Sequence, residues 1–161
     1  MHFRLAHRSA VARLTLAMVL VTLILGCAGP REAPPTIAEV KFQAAPNLNP
    51  SITGEAAPLV VRIYELAAAG SFTDSDFFAL FDEDRSVLGP DLLGRDELRL
   101  VPGAERRVNK TLQPGTRFLG IMAAYREIDQ VNWRDVVSLK HEKVNRFTVT
   151  LGERELKVSK N

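Results

Sequence analysis

The chain has 161 residues, 21 of them basic and 19 acidic, and a single cysteine. That length suits one hydrophobic core once terminal segments are set aside, and a lone thiol excludes a framework of internal disulfides. The near balance of charge gives no electrostatic case for nucleic acid as a partner. The first element in chain order is the apolar run Leu14 to Leu25, preceded by Arg4, Arg8 and Arg13 with no acid among them. It is shorter than the roughly 20 residues that cross a bilayer as a helix. Basic residues, a short apolar run and then the small Gly26 have the layout of a secretory signal peptide over residues 1–26.

The four residues Ile24-Leu25-Gly26-Cys27 resemble a bacterial lipobox. The resemblance implies cleavage before Cys27 and lipidation of its thiol. A buried acyl chain contributes about 0.8 kcal/mol per methylene, and stable anchoring takes more than one chain; a triacylated N-terminus meets that need. Ala28, where an Asp would imply retention in the inner membrane, implies the outer membrane by the sorting rules of such lipoproteins. Without residues 1–26 the chain has 135 residues, 18 basic and 19 acidic, so its apparent basicity belongs in part to the signal.

Residues 27–36, CAGPREAPPT, hold three prolines and no apolar period, and read as an extended tether. The domain proper is then residues 37–161. IAEVKFQ (37–43) alternates as a strand, with Val40 and Phe42 on one face. Residues 44–58, with three prolines, two asparagines and a glycine, predict a loop. It is long for a plain connection, and such loops are often functional or mobile. LVVRIYEL (59–66) is a β-branched strand.

SFTDSDFFALFDED (71–84) predicts one helix of about two turns, with capping-box spacing at Thr73 and Asp76 and a turn at Asp82-Glu83-Asp84. SVLGPDLLG is expected as a loop or irregular edge. Strands follow at 97–101 and 105–112, the second with Val108 and Leu112 inward, divided by the turn pair Pro102-Gly103. RFLGIMAAY (117–125) is apolar on both faces, as a central strand would be, and Gly120 within it predicts close packing or a bulge. A connection bearing Trp133 leads to three more short strands, VVSL, RFTVTL and ELKV. Seven or eight strands and one short helix, without αβ alternation, predict an all-β, two-sheet sandwich.

The residues give little support to catalysis. With Cys27 lipidated and residues 1–26 removed, His141 in the turn-like KHEKVN is the only histidine, and no serine lies in a nucleophile-elbow motif. No histidine or cysteine set suits a metal, the acids from Asp74 to Asp84 lack the spacing of a calcium loop, and no glycine-rich loop cradles phosphate. Those acids read as helix caps and a solvated turn. Phe72, Phe77, Phe78 and Phe81 read as a small core under the helix, with Phe72 or Phe78 as the alternative anchors for a partner; Tyr125 and Trp133-Arg134 carry the same two readings.

Three segments carry a further resemblance: LNPSITGEAAPLVVRIYEL (48–66), FTDSDFFALFDED (72–84) and FLGIMAAYREIDQVNWRDV (118–136). Together with the lipobox they resemble the TssJ lipoproteins of bacterial type VI secretion systems, in order, over most of residues 36–158. The resemblance implies a transthyretin-like sandwich with an added helical piece and no cofactor. It implies a lipoprotein in the outer membrane, facing the periplasm, that binds the periplasmic C-terminal domain of TssM and through it TssL. It also implies that the loop between the first two strands, here residues 46–57, contacts TssM. This chain departs from the commonest family form at Ser51-Ile52-Thr53 and Glu55-Ala56-Ala57.

The expected role is therefore a non-enzymatic assembly protein. Cys27 is the expected anchor, and Asn47, Leu48, Asn49, Pro50, Ile52 and Glu55 are the expected partner contacts, with Leu48 as an apolar anchor held out by Pro46 and Pro50. The rival is a lipoprotein of the same fold that binds a small ligand or cell-wall component, which would need an apolar pocket of several hundred cubic ångströms.

Overall fold

The alternation in the sequence becomes eight strands in two four-stranded sheets. The computed structural model describes residues 33–161; the signal, Cys27 and most of the tether lie outside the described residues. In the first sheet, β1 (Ile37–Ala44) lies between β4 (Glu105–Thr111) and β7 (Val144–Leu151), with β8 (Leu156–Lys160) on the far edge. The second sheet has β2 (Leu59–Leu66) and β5 (Phe118–Ala123) at its centre, flanked by β3 (Leu92–Leu100) and β6 (Arg134–Ser138). All pairings are antiparallel except β1 with β7, which run parallel from Ile37↔Val144 to Ala44↔Leu151.

One face of each strand turns inward. Val40, Phe42, Phe147 and Val149 from the first sheet meet Leu59, Val61, Ile63, Leu119 and Ile121 from the second to form the main core. Val108 packs against it, and Leu112 is buried, as expected of both. The outer faces differ. That of the first sheet is polar, with Glu39, Lys41 and Arg146 near solvent. That of the second is apolar and covered by helices, which is why β5 is apolar on both faces.

The helical piece is divided, not single. α1 (Gly70–Asp74) ends at the extended Ser75, and α2 (Phe77–Leu88) starts afresh. The cap is Asp76, whose carboxylate accepts from the Ala79 N–H at 2.9 Å, rather than Thr73. The expected turn at Asp82-Glu83-Asp84 is only a kink, with Glu83 at φ −129°, and the helix continues to Leu88. A 3₁₀ turn, Gly89–Asp91, then leads directly into β3, which begins at Leu92 in place of the expected irregular segment. Phe72, Phe77, Leu80 and Leu88 join Tyr64, Leu66 and Met122 in a second core beneath these helices. Gly120 makes the fit possible: a Cβ there would lie 3.0 Å from the Phe72 ring.

Asp84 corrects the reading of a solvated acidic turn. It is buried, and Arg95 pairs with it at 2.5 Å. Arg62 stacks 4.1 Å from the Phe81 ring centre, donates to the Phe81 carbonyl at 2.6 Å and pairs with Glu97 at 2.8 Å. Burial works against the Arg62 charge, but bonds to Glu97 and Tyr64 outweigh it and raise its pKa. The helix is thus held on the sheet by charge as well as by apolar contact.

The two ends of the sandwich are closed differently. At the end where β1 begins, Glu65 is 1 % exposed and accepts from the Gln113 N–H at 2.6 Å and the Thr116 hydroxyl at 3.1 Å. Lys110 reaches across from the other sheet to Glu65 at 2.6 Å and Asp96 at 2.5 Å. Burial opposes the ammonium charge, yet the two carboxylates hold its pKa above the ordinary lysine value. The opposite end is closed by the β1–β2 loop.

Candidate partner-binding end of the sandwich

That loop folds in two parts. Its first part turns inward: the Leu48 side chain is 0 % exposed and joins the main core. Asn49 adopts a left-handed backbone (φ 47°), which asparagine tolerates. Its amide donates to the Pro58 carbonyl at 3.1 Å and its Oδ1 accepts from the Arg126 N–H at 2.9 Å. The Ala57 N–H donates to the Leu48 carbonyl at 3.0 Å, so the returning chain is clamped to the outgoing one.

The second part projects. The Ser51 N–H donates to the Glu55 carbonyl at 2.8 Å and the Gly54 N–H to the Ser51 carbonyl at 2.9 Å. The Ser51 hydroxyl lies 2.7 Å from that of Thr53 and accepts from the N–H groups of Thr53 and Glu55. Gly54 at φ 86° permits this tight turn. Ile52 stands at its tip, 96 % exposed. A large apolar side chain so fully in water gains nothing from folding, and an ordered turn presents it.

The expected contact residues therefore separate. Ile52 and Glu55 are exposed, Pro50 is half-buried, and Asn47 is exposed with its amide on Glu153 at 2.9 Å. Leu48 cannot be the presented anchor, because its burial stabilises the sandwich, and Asn49 is buried as a brace. Neighbouring segments complete the end. Arg154 pairs with Glu127 at 3.0 Å, and the Tyr125 hydroxyl donates to the Glu155 carbonyl at 2.9 Å. Burial, and then the negative charge of Glu155, push the Tyr125 pKa up. Tyr125 is thus a core residue, and Phe72 likewise is buried under the helices rather than free for a partner.

Two other exposed apolar side chains lie on or beside this end. Val101 sits in the β3–β4 turn, whose Gly103 N–H donates to the Ala45 carbonyl at 3.1 Å. Phe78 is 62 % exposed in the first turn of α2, next to Phe77, whose ring meets Trp133 edge-on at 5.3 Å. Val101 is readable in the sequence only as the last residue of an alternating strand. Arg126, which braces Asn49 through its backbone, leaves no signal there.

The described clefts lie elsewhere or are small. One of about 440 Å³, lined by Arg85, Gly89, Leu92, Leu93, Gly94 and Arg95, opens at the opposite end of the sandwich. At the loop, a dimple of about 10 Å³ between Asn49, Pro50, Tyr125 and Arg154 has room for about one water.

A family model described as type VI secretion lipoprotein, with the member names VasD, EvfM and TssJ, matches residues 36–154. The chain belongs to the TssJ family of type VI secretion lipoproteins. The matched span holds both helices and every strand except β8. The solved TssJ1 lipoprotein of Pseudomonas aeruginosa is 44% identical, with a TM-score of 0.77, over 80% of this chain and 98% of that one. Serratia marcescens Lip, a membrane-bound component of the type VI secretion system, is 26% identical with a TM-score of 0.73, over 79% and 98%. A chain from a structure described as the TssM C-terminal domain from EAEC is 25% identical with a TM-score of 0.60, over 76% and 97%. A comparison with curated proteins found no match. The TssJ-family fold is the two-sheet sandwich expected from the sequence.

Proposed function

We propose that this protein is the outer-membrane lipoprotein of a type VI secretion envelope complex, anchored through Cys27 after removal of residues 1–26. Residues 27–36 serve as its tether. Its sandwich, residues 37–161, faces the periplasm and docks the periplasmic C-terminal domain of TssM, and through it TssL. The role is assembly, not catalysis. The observation that carries the reading is the turn Ser51–Glu55, which holds Ile52 in water on a loop whose base is built into the core. Family membership and the similarity to a chain from a TssM C-terminal domain structure support it.

The contact surface is the loop tip with its surroundings: Pro50, Ile52 and Glu55, with Asn47 at the margin. The direction of β1 supports the arrangement. The chain enters at one end of the sandwich, and the loop lies at the other, about 25 Å away for a strand of this length. A lipid-anchored chain so built turns its loop away from its own membrane, toward a partner rooted in the other. Confinement to a surface raises the effective concentration of such a pair.

The test is calorimetry of residues 28–161 with the TssM periplasmic C-terminal domain. Binding in the micromolar range or tighter is expected, and it is lost when residues 51–55 are replaced by a shorter turn. The shortening stops at Ser51, since removing Leu48 and Asn49 would damage the core. A folded domain that fails to bind TssM would refute the reading and return the ligand-binding lipoprotein to first place.

A further inference from the structure

The two ends of the sandwich carry opposite charge. The loops of the loop end hold five acids, Glu55, Glu127, Asp129, Glu153 and Glu155, against Arg126 and Arg154, and the start of β4 beside them adds Glu105 and Arg106. The end where β1 begins is gathered by bonds from Ile37 N to Lys143 O, Leu112 N to Thr36 O and Leu139 N to Arg117 O. It presents Arg117, Lys140 and Lys143 on its loops, all exposed, with His141 beside them. Among the described residues, Arg117, Lys140 and Lys143 have no carboxylate partner within salt-bridge distance. Lys160 adds its ammonium, which reaches Ser138 at the end of β6 at 3.1 Å. Arg85, exposed on α2, lines the cleft at this same end. The acids here are Glu142, the half-buried Asp91, and Glu65 and Asp96, which share Lys110.

We infer that this basic end is a membrane-facing surface that binds the headgroups of anionic phospholipid. The inference rests on the lipoprotein reading for its geometry. Only ten residues, 27–36, separate the anchoring cysteine from β1, and fully extended they span at most about 35 Å. The basic end is therefore kept near the bilayer by the chain that emerges from it. Lysines and arginines near an anionic surface each contribute favourably, over about a Debye length. The acidic end is repelled by the same surface. Attraction at one end and repulsion at the other hold the domain upright, with the loop pointing away.

The probe is the mature chain, residues 27–161, carrying Cys27→Ser so that no lipid contributes. Its partition is measured on vesicles of phosphatidylcholine alone and of phosphatidylcholine mixed equally with phosphatidylglycerol. Binding is expected only to the anionic vesicles, with loss at high salt. Each of Arg117→Gln, Lys140→Gln and Lys143→Gln should weaken it about fivefold, while Arg126→Gln at the other end should not. Absence of binding to anionic vesicles, equal binding to both kinds, or an equal loss with Arg126→Gln would overturn the inference. The lipoprotein reading fails separately, if the mass of the native mature N-terminus shows no acyl groups on Cys27.

Discussion

The two parts of the β1–β2 loop are built from similar residues and behave in opposite ways. In Ala45–Asn49 an apolar side chain turns in, an asparagine braces two backbone segments, and nothing large and apolar is left outside. In Ser51–Glu55 the apolar side chain turns out and the polar groups satisfy one another within the turn. The first part is bound to stability and the second is released from it. A long loop can thus stand far from the sheets without being slack, so the ordering cost of docking is small.

That division can be broken from the inside. Leu48→Ala leaves a cavity under the loop, and a loss of about 2–5 kcal/mol is expected in denaturant unfolding. Asn49→Ala removes the acceptor for Arg126 and the donor to Pro58 and requires alanine at positive φ; a loss of about 1–3 kcal/mol is expected. Unfolding curves for either variant that match the parent would show that the inner part is not the support proposed.

Alkaline titration probes the core from below. Tyr125 and Tyr64, the chain's two tyrosines, are both raised by burial, and for Tyr64 the opposing Arg62 does not cancel that effect. Their contribution is intact below the unfolded-state value near 10 and is lost as pH rises from there through the folded-state values. Over that window stability should fall by up to about 1.4 kcal/mol per pH unit for each tyrosine. Phenolate absorbance should appear together with unfolding. Phenolate formed at its ordinary pH in a folded protein would contradict the burial of both rings.

At the tip the effects on stability shrink and those on binding grow. Gly54→Val forces a β-branched residue to φ 86° and should cost about 1 kcal/mol or more while disordering the turn. Ile52→Asp should change stability by less than about 0.5 kcal/mol and weaken TssM binding by at least about tenfold, or 1.4 kcal/mol. Unchanged binding by Ile52→Asp would move the contact toward Phe78 or Val101.

The sandwich was legible because strands write their burial into a period of two. Val40 and Phe42 in β1, and Phe147, Val149 and Leu151 in β7, can be read as inward sets without coordinates. The double apolarity of β5 likewise marked it as a central strand, and it lies between β2 and β6. The rest was hidden for physical reasons. Loops have no period, so nothing local fixed the direction of Leu48 between Pro46 and Pro50, and the reading of it as a presented anchor was wrong. Asp84 concealed the length of α2: Phe77, Leu80, Phe81 and Leu88 keep helical spacing, but a carboxylate stands in the stripe, and only the folded chain brings Arg95 to it. The brace between Asn49 and Arg126 joins residues 77 apart in sequence, and nothing local marks either one.

The parallel pairing of β1 with β7 has a mechanical consequence. β1 is the strand that follows the proposed tether, and it lies inside its sheet, with seven residue pairs to β4 and eight to β7. A pull between the tether and a partner held at the far loop acts along the strand axis. It loads both hydrogen-bond ladders in shear, so many bonds share the force instead of parting one by one as in a peeled edge. A domain fastened by an edge strand would unzip under the same load; this one resists as a whole.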